Sequence, residues 1–563
     1  MIIKLLRCTL AKVEQLAYLL AVWSFLVLFL QPVIAAYLQI DKVEIITALI
    51  NICLLFLTII NRLLARRGTT DRNLLFFDLI MLALGALLIF YSAKFVIFFL
   101  LARQTWHILQ YFLFHAFDGR FYRALAANPP VSLMLSFALV IAVGTVLLMM
   151  PSASSDGKIT SFVDALFTAT SATCVTGLMV NNVGTYYSFV GQLIILLLIQ
   201  IGGLGIMTIS TAFAIVLGQR LTMKMESVMY QMVGGNQRLD VLQLLKRIVI
   251  VTILIEVAGA ALLYIRFSAH NPPLQAFYYS VFHSISAFCS AGISVFPDNL
   301  MGYSSDVLMN LVIPLLSIVG SLGFIVIIDL SRYLFTGKKG RKLALHSKIV
   351  LITTAALLGF GMLAFFITEY WGAMDGFPFA QRLLASWSHS VNSRTVGYHT
   401  IDVSLLGRSS IMISLLLMFI GASPGSTGGG VKTTTFAVLV LSITSLLKGK
   451  KDLVIFNRKI SAANIRQATS LVVLSAAIIF AAAVILLSIE PFSFDKMIFE
   501  TVSAFGTVGL STGITPLLSA AGRLLITLLM YVGRIGPLTM IYAFAIKRQA
   551  VNLGYAEEKI AIG

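Results

Sequence analysis

The sequence predicts an all-α membrane protein in which four units, each helix, re-entrant loop, helix, surround one axis. Three observations predict it. Of the 563 residues 59% are hydrophobic and 11% charged, with a mean hydropathy of +0.95, which leaves too little polar surface to cover a water-soluble globule. A glycine-centred pattern returns about every 105 to 115 residues. Connectors rich in Lys and Arg alternate with connectors that carry few, the asymmetry that places the basic set in the cytoplasm.

Residues 1–128 hold apolar runs at about 13–37, 43–61 and 74–101, then a mixed run to about Phe117. The first, from Val13 to about Leu38, is too long for a signal-peptide core, has no small-residue cleavage pattern, and reads as a retained helix. Lys4, Arg7, Lys12 and the Arg62 to Arg72 cluster place the start and the second connector in the cytoplasm. An even number of extra crossings must therefore precede the repeats. Four are expected, with a hairpin near Ser92 to Lys94. Arg103 and His107 leave two crossings plus a membrane-surface hairpin as the alternative.

The repeats follow as units at 129–220, 221–335, 336–447 and 448–548, with a cytoplasmic tail at 549–563. Outer spans are expected at about 131–150, 246–267, 347–369 and 466–488, and inner spans at about 188–217, 305–334, 405–446 and 517–546. Between them lie FVDALFTATSATC, LQAFYYSVFHSISAFC, FAQRLLASWSHSVNS and FDKMIFETVSAFG. Each has an apolar helical stripe but also Ser, Thr, His, Asp or Glu, and is too short and polar to span lipid. These read as half-helices that enter from outside. The loop centres read SATCVTGL, SAFCSAGI, VNSRTVGY and SAFGTVGL, aligned on Gly177, Gly292, Gly397 and Gly509. Non-helical backbone at membrane depth must be buried in protein or line water, so the four loops are expected to converge.

The basic connectors are Arg220 to Arg247, Arg332 to Lys348, Lys448 to Lys459 and Lys547 to Lys559. The formal charge of +18 is thus one of orientation and of attraction to anionic membrane lipid, not of nucleic-acid binding. Cys8, Cys53, Cys174 and Cys289 form no CxxC, and no His cluster has metal-ligand spacing, so neither a disulfide framework nor a metal site is indicated.

Glycine takes positive φ, which lets consecutive carbonyl oxygens face one way. Four such strands offer rings of oxygen that replace a cation's hydration shell, and each half-helix turns its partly negative C-terminal end inward. The loop centres hold no carboxylate able to coordinate calcium or magnesium strongly, which suits a weakly hydrated monovalent ion. Candidate ion-binding residues are Val175, Thr176 and Gly177; Ser290, Ala291 and Gly292; Thr395, Val396 and Gly397; and Thr507, Val508 and Gly509. The competing reading of the glycines is close packing between membrane helices. A coupled sodium or proton transporter with alternating access is the alternative function, though such folds usually show inverted halves and these units all run in one sense. An enzyme is not expected: HExxH, paired carboxylates and a Ser/His/Asp grouping are absent from the spans.

At these residues the chain resembles the Trk/Ktr/HKT superfamily of potassium transporters, and its Ktr-type membrane subunit (KtrB-like) more than the Trk type. The resemblance covers about Pro130 to Arg548. It rests on the filter loops together with SRTVGYHTID (Ser393 to Asp402), IGGLGIM (Ile201 to Met207), GSLGF (Gly320 to Phe324), MFIGASPGSTGGGVKTTTF (Met418 to Phe436) and GRIGPLTM (Gly533 to Met540). It implies four M1-P-M2 units around one selectivity filter, potassium (K+) as the transported ion, and a homodimer in the cell inner (cytoplasmic) membrane. It also implies a cytosolic nucleotide-binding regulatory ring (KtrA/TrkA-like), with sodium (Na+) as an activator in many members.

GASPGSTGGG (Gly421 to Gly430) puts Pro and five glycines into the third inner span, where a continuous helix is not expected. By resemblance it is a gating loop; the alternative is a kinked helix. Its candidate gating residues are Gly421, Ser423, Pro424, Gly425, Gly428, Gly429, Gly430 and Lys432. It nearly mimics a phosphate-binding P-loop, but Val431 separates Gly430 from Lys432 and no strand precedes it. Arg534 lies in the last span, where a charge must face a partner or water. The resemblance implies that it projects below the filter as an electrostatic plug pairing with the third loop; the alternative is a structural pair with a carboxylate or with carbonyls. Glu256 and Arg394 are expected to pair structurally, and Cys174 and Cys289 to pack.

Overall fold

The computed structural model describes Leu79 and residues 129–204, 241–335, 342–450 and 452–544. The crossings expected before residue 129, the end of the first inner span, the segments 205–240 and 336–341, and the tail at 549–563 lie outside the described residues.

In chain order, the first unit comprises α1 (Pro129–Leu148), α2 (Phe162–Thr173) and α3 (Phe189–Gly203). The second comprises α4 (Val241–Phe267), α5 (Pro273–Phe288), α6 (Val307–Leu322) and α7 (Phe324–Phe335). The third comprises α8 (Leu345–Thr368), α9 (Phe379–Thr395), α10 (Arg408–Phe419) and α11 (Thr433–Leu447). A hairpin of β1 (Val454–Ile455) and β2 (Arg458–Lys459), antiparallel with Val454 opposite Lys459, then leads into α12 (Ala462–Ile489), α13 (Phe494–Gly506), α14 (Ala520–Ile535) and α15 (Pro537–Phe544).

Helix length sorts the elements. Among the described residues α1, α4, α8 and α12 are long and apolar enough to cross a membrane; at 1.5 Å per residue they reach about 30–42 Å. They are apolar on all sides: Leu254, Phe360 and Phe480 are more than half exposed while Leu263, Leu358 and Leu486 are buried, as expected where lipid covers one face. The short helices α2, α5, α9 and α13 reach only about 18–26 Å. Their starts are set locally, by the Ser161 hydroxyl accepting the Asp164 N–H and by Pro273 at the first position of α5.

The chain closes on itself as a ring. α3 packs on α5, α6 on α9, α10 on α13, and α14 returns to α2, so each unit's inner helix lies against the next unit's short helix. Arg523 of α14 and Asp164 of α2, 2.5 Å apart, tie the last unit to the first. The largest apolar cluster joins Phe167, Ile195, Phe282, Met497 and Met530 from three units.

The inner spans at 305–334 and 517–546, expected to be continuous, are broken. α6 and α7 meet at 102° around Gly323, whose φ is +94°, because the Phe324 N–H is donated across to the Gly425 carbonyl oxygen at 3.0 Å. α14 stops at Gly536, φ +91°, and Pro537 beyond it has no N–H with which to continue. The third inner span is interrupted between α10 and α11, where Ile420 and Val431 form an isolated parallel bridge.

Candidate functional site

Three of the four short helices end in the same way. Past α2, the Val175 N–H is donated to the Ala172 carbonyl and the Thr176 N–H to the Ser171 carbonyl; Ser290 and Ala291 repeat this on Ala287 and Ser286, and Thr507 and Val508 on Ala504 and Ser503. Such a pattern requires a left-handed residue, usually glycine. Here it is Val175 (φ +55°), Ser290 (+61°) and Thr507 (+51°). A left-handed side-chain-bearing residue costs about 1–2 kcal/mol, and for β-branched Val175 and Thr507 the conformation is a true outlier. Strain of this kind persists only where the surroundings over-determine it, commonly at functional sites.

The third loop differs. Thr395, expected in the extended part of the loop, is the last residue of α9, because the Asn392 carbonyl accepts from both Val396 and Gly397 at 3.2 Å. Val391 stands where the other loops have serine.

The four glycines have φ of +97°, +64°, +80° and +91° at Gly177, Gly292, Gly397 and Gly509, and their surroundings form a cycle. A Cβ on Gly177 would meet the carbonyl oxygen of Ala291, one on Gly292 that of Val396, one on Gly397 that of Val508, and one on Gly509 that of Thr176. Each glycine thus backs onto the carbonyl of the residue before the next loop's glycine, and the loops surround one axis at backbone contact distance. Serine hydroxyls support the turns from within: Ser171 accepts the Gly177 N–H at 3.0 Å, Ser503 the Gly509 N–H at 3.1 Å, and Ser286 the Ile293 N–H at 3.1 Å. The Tyr398 hydroxyl joins the third loop to the second by donating to the Ile293 carbonyl at 3.1 Å.

Three inner helices approach the ring through glycines. A Cβ on Gly202, Gly320 or Gly533 would strike the carbonyl oxygen of Thr173, Phe288 or Phe505 respectively, always the residue four before the loop glycine. On the other side a cavity of about 370 Å³ opens, lined by Gly177, Gly292 and Gly509 and by Asp298, His399 and Asp402. Carboxylates at its rim raise the local concentration of cations.

The interrupted segment of the third unit lies directly beneath the loops. The Gly429 N–H is donated to the Thr507 hydroxyl at 2.9 Å, and the Thr427 and Ser290 hydroxyls are bonded at 3.1 Å. A Cβ on Gly428 would touch the Thr395 side chain. The rest of the segment is clamped from below and beside: Ser423 to the Thr433 hydroxyl (2.9 Å) and the Ser321 carbonyl (3.1 Å), Gly425 to Phe324, and the carbonyls of Gly421 and Gly428 accepting from Arg394 (3.2 Å) and Lys432 (2.8 Å). A Cβ on Gly323 would meet the Pro424 carbonyl, and Gly430 has φ +70°.

Arg534, 3% exposed, donates to the carbonyl oxygens of Thr427 and Gly202. These acceptors belong to the third and first units, opposite each other in the ring, so the guanidinium reaches across beneath it. Among the described residues neither Arg534 nor Lys432 meets a carboxylate; both are held by backbone oxygens. Glu256 accepts from Gln200 at 3.2 Å and from the thiol of Cys289, the residue before Ser290, at 3.9 Å, and the partner of Arg394 is the Gly421 carbonyl. Cys174 and Cys289 are buried and free. The acceptors Thr427 and Gly202 carry no sequence signal of their own, whereas the recurrent serine six residues before three of the glycines was legible as a pattern whose role only the hydrogen bonds reveal.

Residues 94–554 match the sequence profile of a family described as TrkH, cation transport protein. The chain is 40% identical over 438 residues to the Ktr system potassium uptake protein B of Bacillus subtilis (strain 168), covering 77% of this chain and 97% of that protein. It is 36% identical over 454 residues to the protein of the same name from Vibrio alginolyticus, covering 80% and 98%. The crystal structure of the potassium transporter TrkH from Vibrio parahaemolyticus shares the fold, with a TM-score of 0.63 at 16% identity over 83% of this chain and 95% of that one.

Proposed function

The chain belongs to the TrkH family of cation transport proteins, a multi-pass membrane transporter and not an enzyme, and we propose that it takes up potassium through a channel-like pore in the cytoplasmic membrane. Four M1-P-M2 units supply the pore, and the carbonyl oxygens of the strands 175–177, 290–292, 395–397 and 507–509 form its selectivity filter. The observation that carries this is the cycle in which each loop glycine backs onto its neighbour's carbonyl. Oxygens fixed at that spacing replace the water of a weakly hydrated cation, and the C-terminal ends of α2, α5, α9 and α13 add negative potential. The names of the two Ktr relatives support potassium as the ion.

The segment 420–432 with Arg534 forms the gate below the filter: it contacts the filter residues Ser290 and Thr507, and it carries two cationic side chains that, among the described residues, are held by backbone oxygens. A homodimer, a cytosolic regulatory ring and sodium activation complete the reading by analogy with the Ktr group. The test is tracer uptake in a bacterium stripped of its own potassium systems. Potassium and rubidium are expected to enter in strong preference to sodium. Equal uptake of sodium, or no rescue of growth on low potassium with the protein present in the membrane, overturns it.

A further inference from the structure

Away from the filter, where the basic connectors around Lys348 and Lys448 to Lys459 meet, α8 begins, α11 ends and α12 begins. The hairpin fills the gap between them. Its Leu453 and Ile455 are buried against Ile349 and Ala437, which fixes the hairpin to the helical body. Beside it opens a trough of about 370 Å³ whose lining is mostly apolar, with Ile349, Ile352, Leu441 and Val454 beside the hydroxyls of Thr353, Thr444 and Ser445. Lys448 and Lys450 stand at the same trough.

The two lysines set the character of the opening. Lys459 on the hairpin is neutralised by Asp452 at 2.7 Å, but Lys448 and Lys450 have no carboxylate partner among the described residues. Lys348 adds a third positive charge, lying 5.3 Å from the centre of the Phe456 ring. The hairpin tip is itself unusual: Phe456 and Asn457 have φ of +48° and +61°, the two-residue turn that favours Asn, Asp or Gly at both places. A half-exposed phenylalanine is thus held in a strained position at the rim, the level at which aromatic side chains meet lipid headgroups.

We propose that this trough is a binding site for an anionic phospholipid of the cytoplasmic leaflet, with the phosphate at Lys448 and Lys450 and the start of an acyl chain along Ile352, Leu441 and Val454. Charge complementarity selects the occupant: the leaflet facing the basic connectors supplies negative headgroups, and a site that joins unpaired ammonium groups to an apolar channel matches both halves of such a lipid. A soluble phosphate would use the lysines and leave the apolar floor bare. The site goes beyond the proposed transport function and stands or falls separately from it.

The test uses the full chain in nanodiscs carrying a trace of phosphatidylglycerol or of phosphatidylcholine, each with a photoreactive group on its acyl chain, and maps the labelled peptides. Phosphatidylglycerol is expected to label the stretch 437–456 up to about thirtyfold over phosphatidylcholine, as two lysine contacts imply. The exchange of Lys448→Gln together with Lys450→Gln should erase that preference while labelling of α4 stays unchanged. Equal labelling by the two lipids, or none in the trough, overturns the proposal, the latter leaving the face to a protein partner. Loss of the label on adding soluble glycerophosphate also overturns it, since the ligand would then be a free phosphate. Because labelling is read without ion flux, failure here is distinguishable from failure of the transport reading.

Discussion

Replacing Arg534 with alanine is the sharpest perturbation of the proposed gate. Its guanidinium joins the Thr427 carbonyl of the third unit to the Gly202 carbonyl of the first, and both bonds must break for the side chain itself to swing clear of the passage. A hydrogen bond to a charged group contributes about 1.5–3 kcal/mol, so the pair sets a gross ceiling of about 3–6 kcal/mol on the closed state. Deleting the side chain also removes the cost of keeping a charge 3% exposed, which takes back a large part of that sum. A net shift of about 1.5–3 kcal/mol towards the open state remains, and at 1.4 kcal/mol per factor of ten the open fraction rises about tenfold or more until it saturates. Rubidium influx into proteoliposomes, normalised to protein incorporated, reads this directly. Lysine at the same position keeps the charge but is too short to span both carbonyls, and should fall between alanine and the unaltered chain. Unchanged influx for the alanine variant, at matched protein, refutes the role of Arg534 as a plug.

Gly292→Ala places a Cβ against the Val396 carbonyl at φ +64°, and should cost potassium at least about tenfold of its preference over sodium in competitive uptake, because an oxygen of the proposed filter must shift. Gly513→Ala also lies at positive φ, +89°, but meets nothing within 4 Å; it should lose about 1 kcal/mol of stability with selectivity intact, and equal selectivity in the two variants would argue against the filter assignment. For Asp164 and Arg523, whose side chains are 18% and 20% exposed, a double-mutant cycle read by thermal unfolding in detergent should give a coupling of about 1–2 kcal/mol. Strict additivity would show that this contact does not hold the ring closed.

The amino-acid sequence alone determined where the long helices run, because an uninterrupted apolar stretch such as 466–488 has one low-energy state in lipid and its length can be counted. It also marked the short helices and the loop glycines, since a polar, half-length stripe ending in glycine recurs at matched spacing. It did not reveal that the second inner span breaks at Gly323, because this glycine sits in an apolar run that would satisfy a straight helix equally well; the break follows from Phe324 finding the Gly425 carbonyl. The fourth break was legible in the Gly536–Pro537 pair, a signal that a span drawn continuously over 517–546 passes over. It did not separate the third loop, in which Thr395 stays helical, from the other three. Tertiary structure alone decided what each glycine approaches and which carbonyls hold Arg534. Periodicity and composition act over a few turns of one chain segment, whereas the contact of Gly509 with the Thr176 carbonyl, or of Arg534 with Gly202, joins residues more than three hundred positions apart and exists only once four separate helical units have closed into a ring.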